Sequence, residues 1–261
     1  MSATRNGVYS VLYVTALLFT LEACENGQVT APQLRLAATS TQARLLSVAR
    51  CAPGSGAFTT AFTHPYFFPA TVGYQTVLEG EEEGESVQVQ ITVLAQTRDV
   101  AGVTTRVIEE REWVDGTLLE VSWNYYAQAS DGSICYFGED VDIYEDGGVV
   151  HTGAWCAVGG NQPGIFLPAE LQPGTKFQME VAPGIALDEG EVVGSGPVRT
   201  PLGRFEETLR IREFNPLDND KGYKVFANGV GLVIDGPVTL TAINQTTGIP
   251  EAPVLTGQTC G

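Results

Sequence analysis

From about residue 73 onward the chain alternates apolar and polar side chains with a period of two, and this pattern constrains its fold more than any other feature. In residues 86–93, Val87, Val89, Ile91 and Val93 share one face while Gln88, Gln90 and Thr92 take the other. Successive side chains of an extended strand point to opposite sides of a sheet, so such a run describes a half-buried antiparallel strand. Residues 119–125 repeat the pattern, with Leu119, Val121, Trp123 and Tyr125 set against Glu120, Ser122 and Asn124. Leu209 and Ile211 alternate with Arg210 and Arg212, and Val230, Leu232 and Ile234 with Gly231 and Val233. Between the runs fall Asp115-Gly116, Asp131-Gly132, Asp146-Gly147, Asn219-Asp220-Lys221-Gly222 and Asp235-Gly236. Several of these turns are about 15 residues apart, the repeat of one strand plus its turn in a meander.

The expectation is therefore an all-β, single-domain protein, an antiparallel meander curled into a curved sheet or barrel of the half-barrel lipoprotein kind. A sandwich could be built from the same strands. Thirty glycines and fourteen prolines weigh against a helical protein. Residues 34–48 are the one stretch with a short-helix pattern. Residues 159–173, GGNQPGIFLPAELQP, interrupt the alternation and read as a long ordered loop, with Ile165, Phe166 and Leu167 buried across a sheet opening. Neither an internal repeat nor a domain boundary is visible.

The N-terminus carries a different signal. Residues 8–21, VYSVLYVTALLFTL, follow a lone basic residue, Arg5. The run is shorter than the roughly 20 residues that span a bilayer, so residues 1–23 read as a signal peptide, with a buried N-terminal helix as the alternative. Leu21-Glu22-Ala23-Cys24 resembles the bacterial lipobox, with Glu22 where a small residue is usual. That resemblance implies lipid on Cys24 and a membrane partner through it. Residues 24–50 are small and polar, as expected of a lipid-anchored stalk, and residues 51–261 form the β domain. The expected location is the cell envelope, at the periplasmic or outer surface, or the medium if the chain is not lipidated.

Thirty-one acidic residues face fourteen basic ones, a net charge of −17. Residues 1–23 hold one charge of each sign, Arg5 and Glu22, so the processed chain keeps it. Nucleic acid is excluded as a partner, because phosphate contacts need a basic surface. Docking on anionic lipid is disfavoured for the same reason. An acidic surface also simply favours solubility in a salty medium.

The cysteines are Cys24, Cys51, Cys135, Cys156 and Cys260. With Cys24 set aside, four remain and allow three connectivities. A hairpin folded about residues 145–148 brings Cys135 and Cys156 nearly opposite each other, within bridging distance. The expected disulfides are Cys135–Cys156 and, by remainder, Cys51–Cys260, which suits an oxidising compartment. No CxxC occurs, and His64 and His151 lie far apart, so no metal and no cofactor is implied. Both histidines read as structural.

No GxSxG, HExxH, phosphate-loop or dinucleotide motif is present. The candidate catalytic residues are the carboxylates Glu139, Asp140 and Asp142. Alternation puts Asp140, Asp142 and Tyr144 on one face, about 7 Å between the two carboxylates, a spacing suited to acting on a glycosidic bond or to sharing a cation. The same pattern describes a solvated strand face leading into an acidic turn. Glu139 shares its face with Val141 and Ile143, where a carboxylate needs either a raised pKa or a partner among Arg106, Arg111, Arg210 and Arg212. Glu81-Glu82-Glu83-Gly84-Glu85 is a hairpin tip, and Asp218-Asn219-Asp220 a turn lacking the downstream glutamate of a calcium loop. Trp123, Tyr125 and Tyr136 are candidate ligand-binding rings, though a core needs such side chains too.

Residues 125–139, YYAQASDGSICYFGE, resemble a group of uncharacterised exported bacterial β-sheet proteins and lipoproteins. Pro163-Gly164, Leu167-Pro168, Pro173-Gly174, Gly203-x-Phe205 and Gly229-Val230-Gly231-Leu232-Val233 extend the likeness over about residues 100–240. The resemblance implies an all-β secreted or lipoprotein domain and brings no reaction, cofactor or catalytic residue. The leading functional expectation is an exported domain that binds a small apolar or glycan ligand or a partner protein. A secreted enzyme acting on an extracellular polysaccharide and a disulfide-stabilised envelope component are the alternatives.

Overall fold

The computed structural model describes residues 44–145 and 147–247. The expected signal peptide, Cys24, Cys260 and most of the stalk lie outside them. The first described strands are β1 (Arg44–Leu45), β2 (Phe58–Thr59), β3 (Tyr74–Glu82) and β4 (Glu85–Val100). Then come β5 (Val103–Val114), β6 (Thr117–Ala129), β7 (Ile134–Glu145), β8 (Gly148–His151) and β9 (Trp155–Cys156). The chain continues with β10 (Gly164–Leu167), β11 (Thr175–Gln178), β12 (Glu189–Ser195), β13 (Val198–Thr200) and β14 (Gly203–Phe205). It closes with β15 (Thr208–Asn215), β16 (Asp220–Ala227), β17 (Gly231–Asp235) and β18 (Val238–Gln245).

All but the β13–β14 hairpin belong to one large, mostly antiparallel sheet in the order β1–β11–β12–β15–β16–β17–β18–β3–β4–β5–β6–β7–β10. The alternation and turn chemistry account for this meander. Glu83-Gly84, Ala101-Gly102 and Asp115-Gly116 each put two successive residues at positive φ, the two-residue turn whose twist matches that of its strands. The sheet is strongly curved and its two edges meet. The Gln162 amide donates to the Val181 carbonyl at 2.9 Å, joining the chain before β10 to the chain after β11. Gly164 is needed at this seam, because a Cβ there would lie 1.9 Å from the Met179 carbonyl oxygen.

One end of the curved sheet is plugged by the aromatic loop 60–73. Phe67 packs edge-on against Tyr126 at 5.2 Å and Phe68 at 5.3 Å. His64 Nε2 lies 3.2 Å from the Pro168 carbonyl, and the Gly229 amide donates to the Pro65 carbonyl at 2.8 Å. Burial pushes the His64 pKa down, so the ring is a neutral structural element. At the other end lie the β3–β4, β5–β6, β7–β8, β15–β16 and β17–β18 turns.

The disulfide expectation is corrected. Cys51 pairs with Cys135, with Cα atoms 5.5 Å apart. The hairpin register runs Asp142↔His151 to Glu145↔Gly148 and then ends. Cys156 sits in β9 opposite Gly138, three residues from Cys135, while β10 takes the place beside Cys135 through Ile165. Gly138 permits the close crossing, since a Cβ there would be 2.2 Å from the Trp155 carbonyl oxygen. The Cys51–Cys260 pairing falls with the first. Cys156 is disulfide-bonded as well.

Two smaller expectations also change. Residues 159–173 are not wholly loop, because β10 pairs with β7 and buries Ile165 and Leu167 completely. No helix runs through 44–48; a two-residue strand leads into a single 3-10 turn, Val48–Cys51. Arg50 on that turn holds Asp131 at 2.9 Å and Glu170 at 2.7 Å, fixing the start of the domain to the β6–β7 turn.

Candidate functional site: an acidic cavity inside the sheet

Curvature gives the sheet a concave inner face, and that face is not filled by side chains. It encloses a cavity of about 400 Å³, continuous with a vestibule of about 740 Å³. Glu120, Glu139, Glu180, Asp188 and Asn215 border both, forming the neck between them. The floor is aromatic: Tyr126 and Tyr136 stack at 4.7 Å, and Phe166 packs 5.0 Å from Tyr126.

Register builds the walls in layers. Tyr126 lies opposite Tyr136, then Asn124 opposite Glu139, Ser122 opposite Glu110, and Glu120 opposite Glu112. Val87, Val89 and Ile91 of β4 supply the apolar flank. Glu180 and Asp188 enter from the segment between β11 and β12, and Glu213, Lys224 and Asp235 from β15, β16 and β17. With Glu82 and Asp220, ten carboxylates line the cavity and a single amine, Lys224, answers them.

Lys224 is committed locally, at 2.7 Å from Glu213 and 3.2 Å from Asp235. Glu110, Glu112 and Glu120 make no hydrogen bond or ion pair among the described residues. Glu112 and Glu120 are direct cross-strand neighbours, a placement that costs stability for like charges. Burial, with Asp235 next, pushes Glu110 up to about 8. Burial and Glu120 push Glu112 up to about 7, and burial again raises Glu139 to about 8. Glu120, Glu180 and Glu213 shift upward from the same leading cause. Partial removal from bulk water, together with neighbours of the same sign, disfavours the charged form of these groups.

The polar atoms of the floor are handled unequally. The Tyr136 hydroxyl donates to Asn124 Oδ1 at 2.5 Å, and Asn124 Nδ2 donates to Ser122 Oγ at 3.0 Å. Tyr126 is only 6% exposed, yet its hydroxyl has no hydrogen-bond partner among the described residues. It borders the cavity, with Glu110, Glu139, Glu180 and Lys224 as its charged surroundings.

The residues singled out from the sequence divide between the two faces. Glu139 and Tyr136 line the cavity. Asp140, Asp142, Trp123 and Tyr125 lie on the opposite, outer face, where they are also buried. There the Tyr125 hydroxyl donates to Asp140 Oδ2, and His151 Nδ1 contacts Asp142 Oδ1 at 2.5 Å. Glu139 is thus not brought together with Asp140 or Asp142. None of the four arginines considered for Glu139 ion-pairs with it: Arg111 holds Glu109, Arg212 holds Glu191, Arg106 donates to the Leu94 and Ala95 carbonyls, and Arg210 forms no ion pair among the described residues. Glu110, Glu112 and Glu120 were missed, and the Asp115-Gly116 turn alone would set Glu112 opposite Leu119; the irregular register between Glu112 and Trp113 is what sets acid opposite acid.

Comparison with protein-family models, with curated proteins and with solved structures found no match, so the functional reading rests on this cavity.

Proposed function

We propose that this is an exported ligand-binding domain, tethered at the cell envelope through lipid on Cys24, that takes a small molecule into the interior of its curved sheet. The observation that carries the reading is the cavity of about 400 Å³, lined from ten strands of the sheet and reached through a wide vestibule. Protein interiors are normally packed to few voids larger than a water molecule, so a space of this size kept between strands favours a guest over a purely structural role. The buried Cys51–Cys135 bridge supports an oxidising compartment. The vestibule carries Val150, Ile185 and Leu217, which are 49%, 47% and 47% exposed, and so offers apolar contact at the mouth.

Native mass spectrometry of the protein purified from its own cells tests both parts. Lipid on Cys24 and a second, non-covalent mass are expected, and the second is lost in Ser122→Trp, which fills the cavity. A processed chain with no added mass, and no difference between the two proteins in any probe binding, would end the carrier reading.

A hydrolytic reading has one specific support. A carboxyl group protonated near neutral pH beside a second carboxylate is the arrangement of a general acid, and Glu139 lies in the field of Glu120. A polysaccharide screen comparing the wild type with Glu139→Gln decides it. Equal turnover removes Glu139 from catalysis.

A further inference from the structure

We propose that the cavity's ligand is an organic polycation, a linear amine with two or more ammonium groups set against Glu110, Glu112 and Glu120 and its carbon chain against the aromatic floor. The inference rests on the carrier reading and names its ligand.

Three observations converge. First, the charge is uncompensated and spread out. Lys224 ion-pairs with Glu213 and Asp235 and reaches Glu110 only through its field, which leaves Glu110, Glu112 and Glu120 without an ion pair among the described residues. They sit in successive layers, and among the described residues no three Asp, Glu, His or Cys side chains are grouped to hold a metal ion. Charge spaced in this way matches nitrogens separated along a chain better than one compact ion. Secondly, Tyr126 holds a hydroxyl that borders the cavity with no partner, in a residue only 6% exposed. The hydroxyl is open to the cavity and not sealed in the wall, so an ammonium N–H could donate to its lone pair. Thirdly, the apolar flank of Val87, Val89 and Ile91, with the stacked tyrosine floor, suits methylene segments between charges.

An ammonium group placed beside Glu110 and Glu112 favours their ionised forms, so binding displaces protons those side chains hold near neutral pH. Neutral ligands would not do this.

The experiment is isothermal titration of the processed protein with spermidine, n-butylamine, 1-octanol and Ca²⁺, in two buffers of different ionisation enthalpy. Spermidine should bind with proton release, and about tenfold or more tightly than n-butylamine, the least expected from one lost charge-assisted contact. The double variant Glu112→Gln/Glu120→Gln should weaken spermidine by at least about tenfold. It relieves a like-charge pair, so thermal unfolding should show it folded and no less stable. Glu81→Gln/Asp99→Asn removes two exposed charges instead and should leave affinity unchanged.

Equal weakening in both variants would mean general attraction to an acidic surface and would overturn the proposal. So would Ca²⁺ competing with spermidine at equal strength. Binding of 1-octanol without spermidine would retain the carrier reading and reject the polycation. Failure of every probe, together with no retained mass in the native protein, would reject both.

Discussion

Strands β5, β6 and β7 carry carboxylates on both faces, and the two faces treat them in opposite ways. On the outer face Glu109 accepts from Arg111 at 2.7 Å and from the Trp123 indole at 3.0 Å. Asp140 accepts from Tyr125, and Asp142 meets His151. On the inner face Glu110, one residue from Glu109, has no such partner, and Glu112 directly faces Glu120. Buried charges kept for stability are paired. On these strands the fully buried carboxylates are the paired ones that hold the sheet together, while the half-buried Glu110, Glu112 and Glu120 face the cavity without an ion pair and are available to a ligand.

The largest test concerns the outer face's covalent staple. Cys51 and Cys135 are 84 residues apart, and a loop of that length stabilises by about 4–5 kcal/mol in the chain-entropy account. Cys51→Ala/Cys135→Ala should lose most of this in urea unfolding. A loss below about 1 kcal/mol would mean that the outer face holds without its staple.

Glu109→Ala comes next. It leaves a partly buried guanidinium and an indole N–H unpaired, and should cost about 2–4 kcal/mol. Glu110→Gln, at the adjacent residue, should cost nothing measurable. Equal losses at the two positions would break the distinction between the faces.

The third test is pH. Glu110, Glu112 and Glu139 hold their protons more tightly folded than unfolded, where the ordinary value is 4.5. Folding therefore takes up protons, and the stability these groups lend is complete below about 4.5 and lost as pH rises through about 7–8. The unliganded protein should weaken by on the order of 1–3 kcal/mol across that window, a figure discounted for the water that the cavity admits. Around Glu110 the deciding neighbours are Asp235, Lys224, Glu120 and Glu112. A stability profile flat from pH 5 to about 9 would show that the inner carboxylates are solvated like surface ones.

Smallest is Glu112→Gln/Glu120→Gln, expected to raise stability by about 0.5–1 kcal/mol at pH 8 by removing a like-charge cross-strand pair. Loss of stability instead would mean that this pair has a structural role.

Much of the strand map was legible from residues alone. The run at 86–93 became part of β4, with Val87, Val89 and Ile91 facing inward, and the Asp115-Gly116 turn joined β5 to β6 as read. Glu139 was placed correctly with Val141 and Ile143, since all three line the cavity or its vestibule. Tyr136 was harder. Strict alternation sets it on the face of Asp140, but an irregular register next to Gly138, at φ +124°, turns it to the side of Glu139. The sidedness of residues 119–125 was not readable at all. The apolar set Val121, Trp123 and Tyr125 looked like the natural interior, whereas Glu120, Ser122 and Asn124 line the cavity.

By itself the sequence determined that the chain alternates, where several of its hairpins turn and, within unbroken runs such as 86–93, which side chains share a face, because these depend on neighbours a few residues apart. Only the tertiary structure decided which face became concave, which cysteines met and which carboxylates were left without a cation. Those outcomes depend on curvature summed over the whole sheet and on contacts such as the β10–β11 seam, between parts of the chain that no local pattern relates.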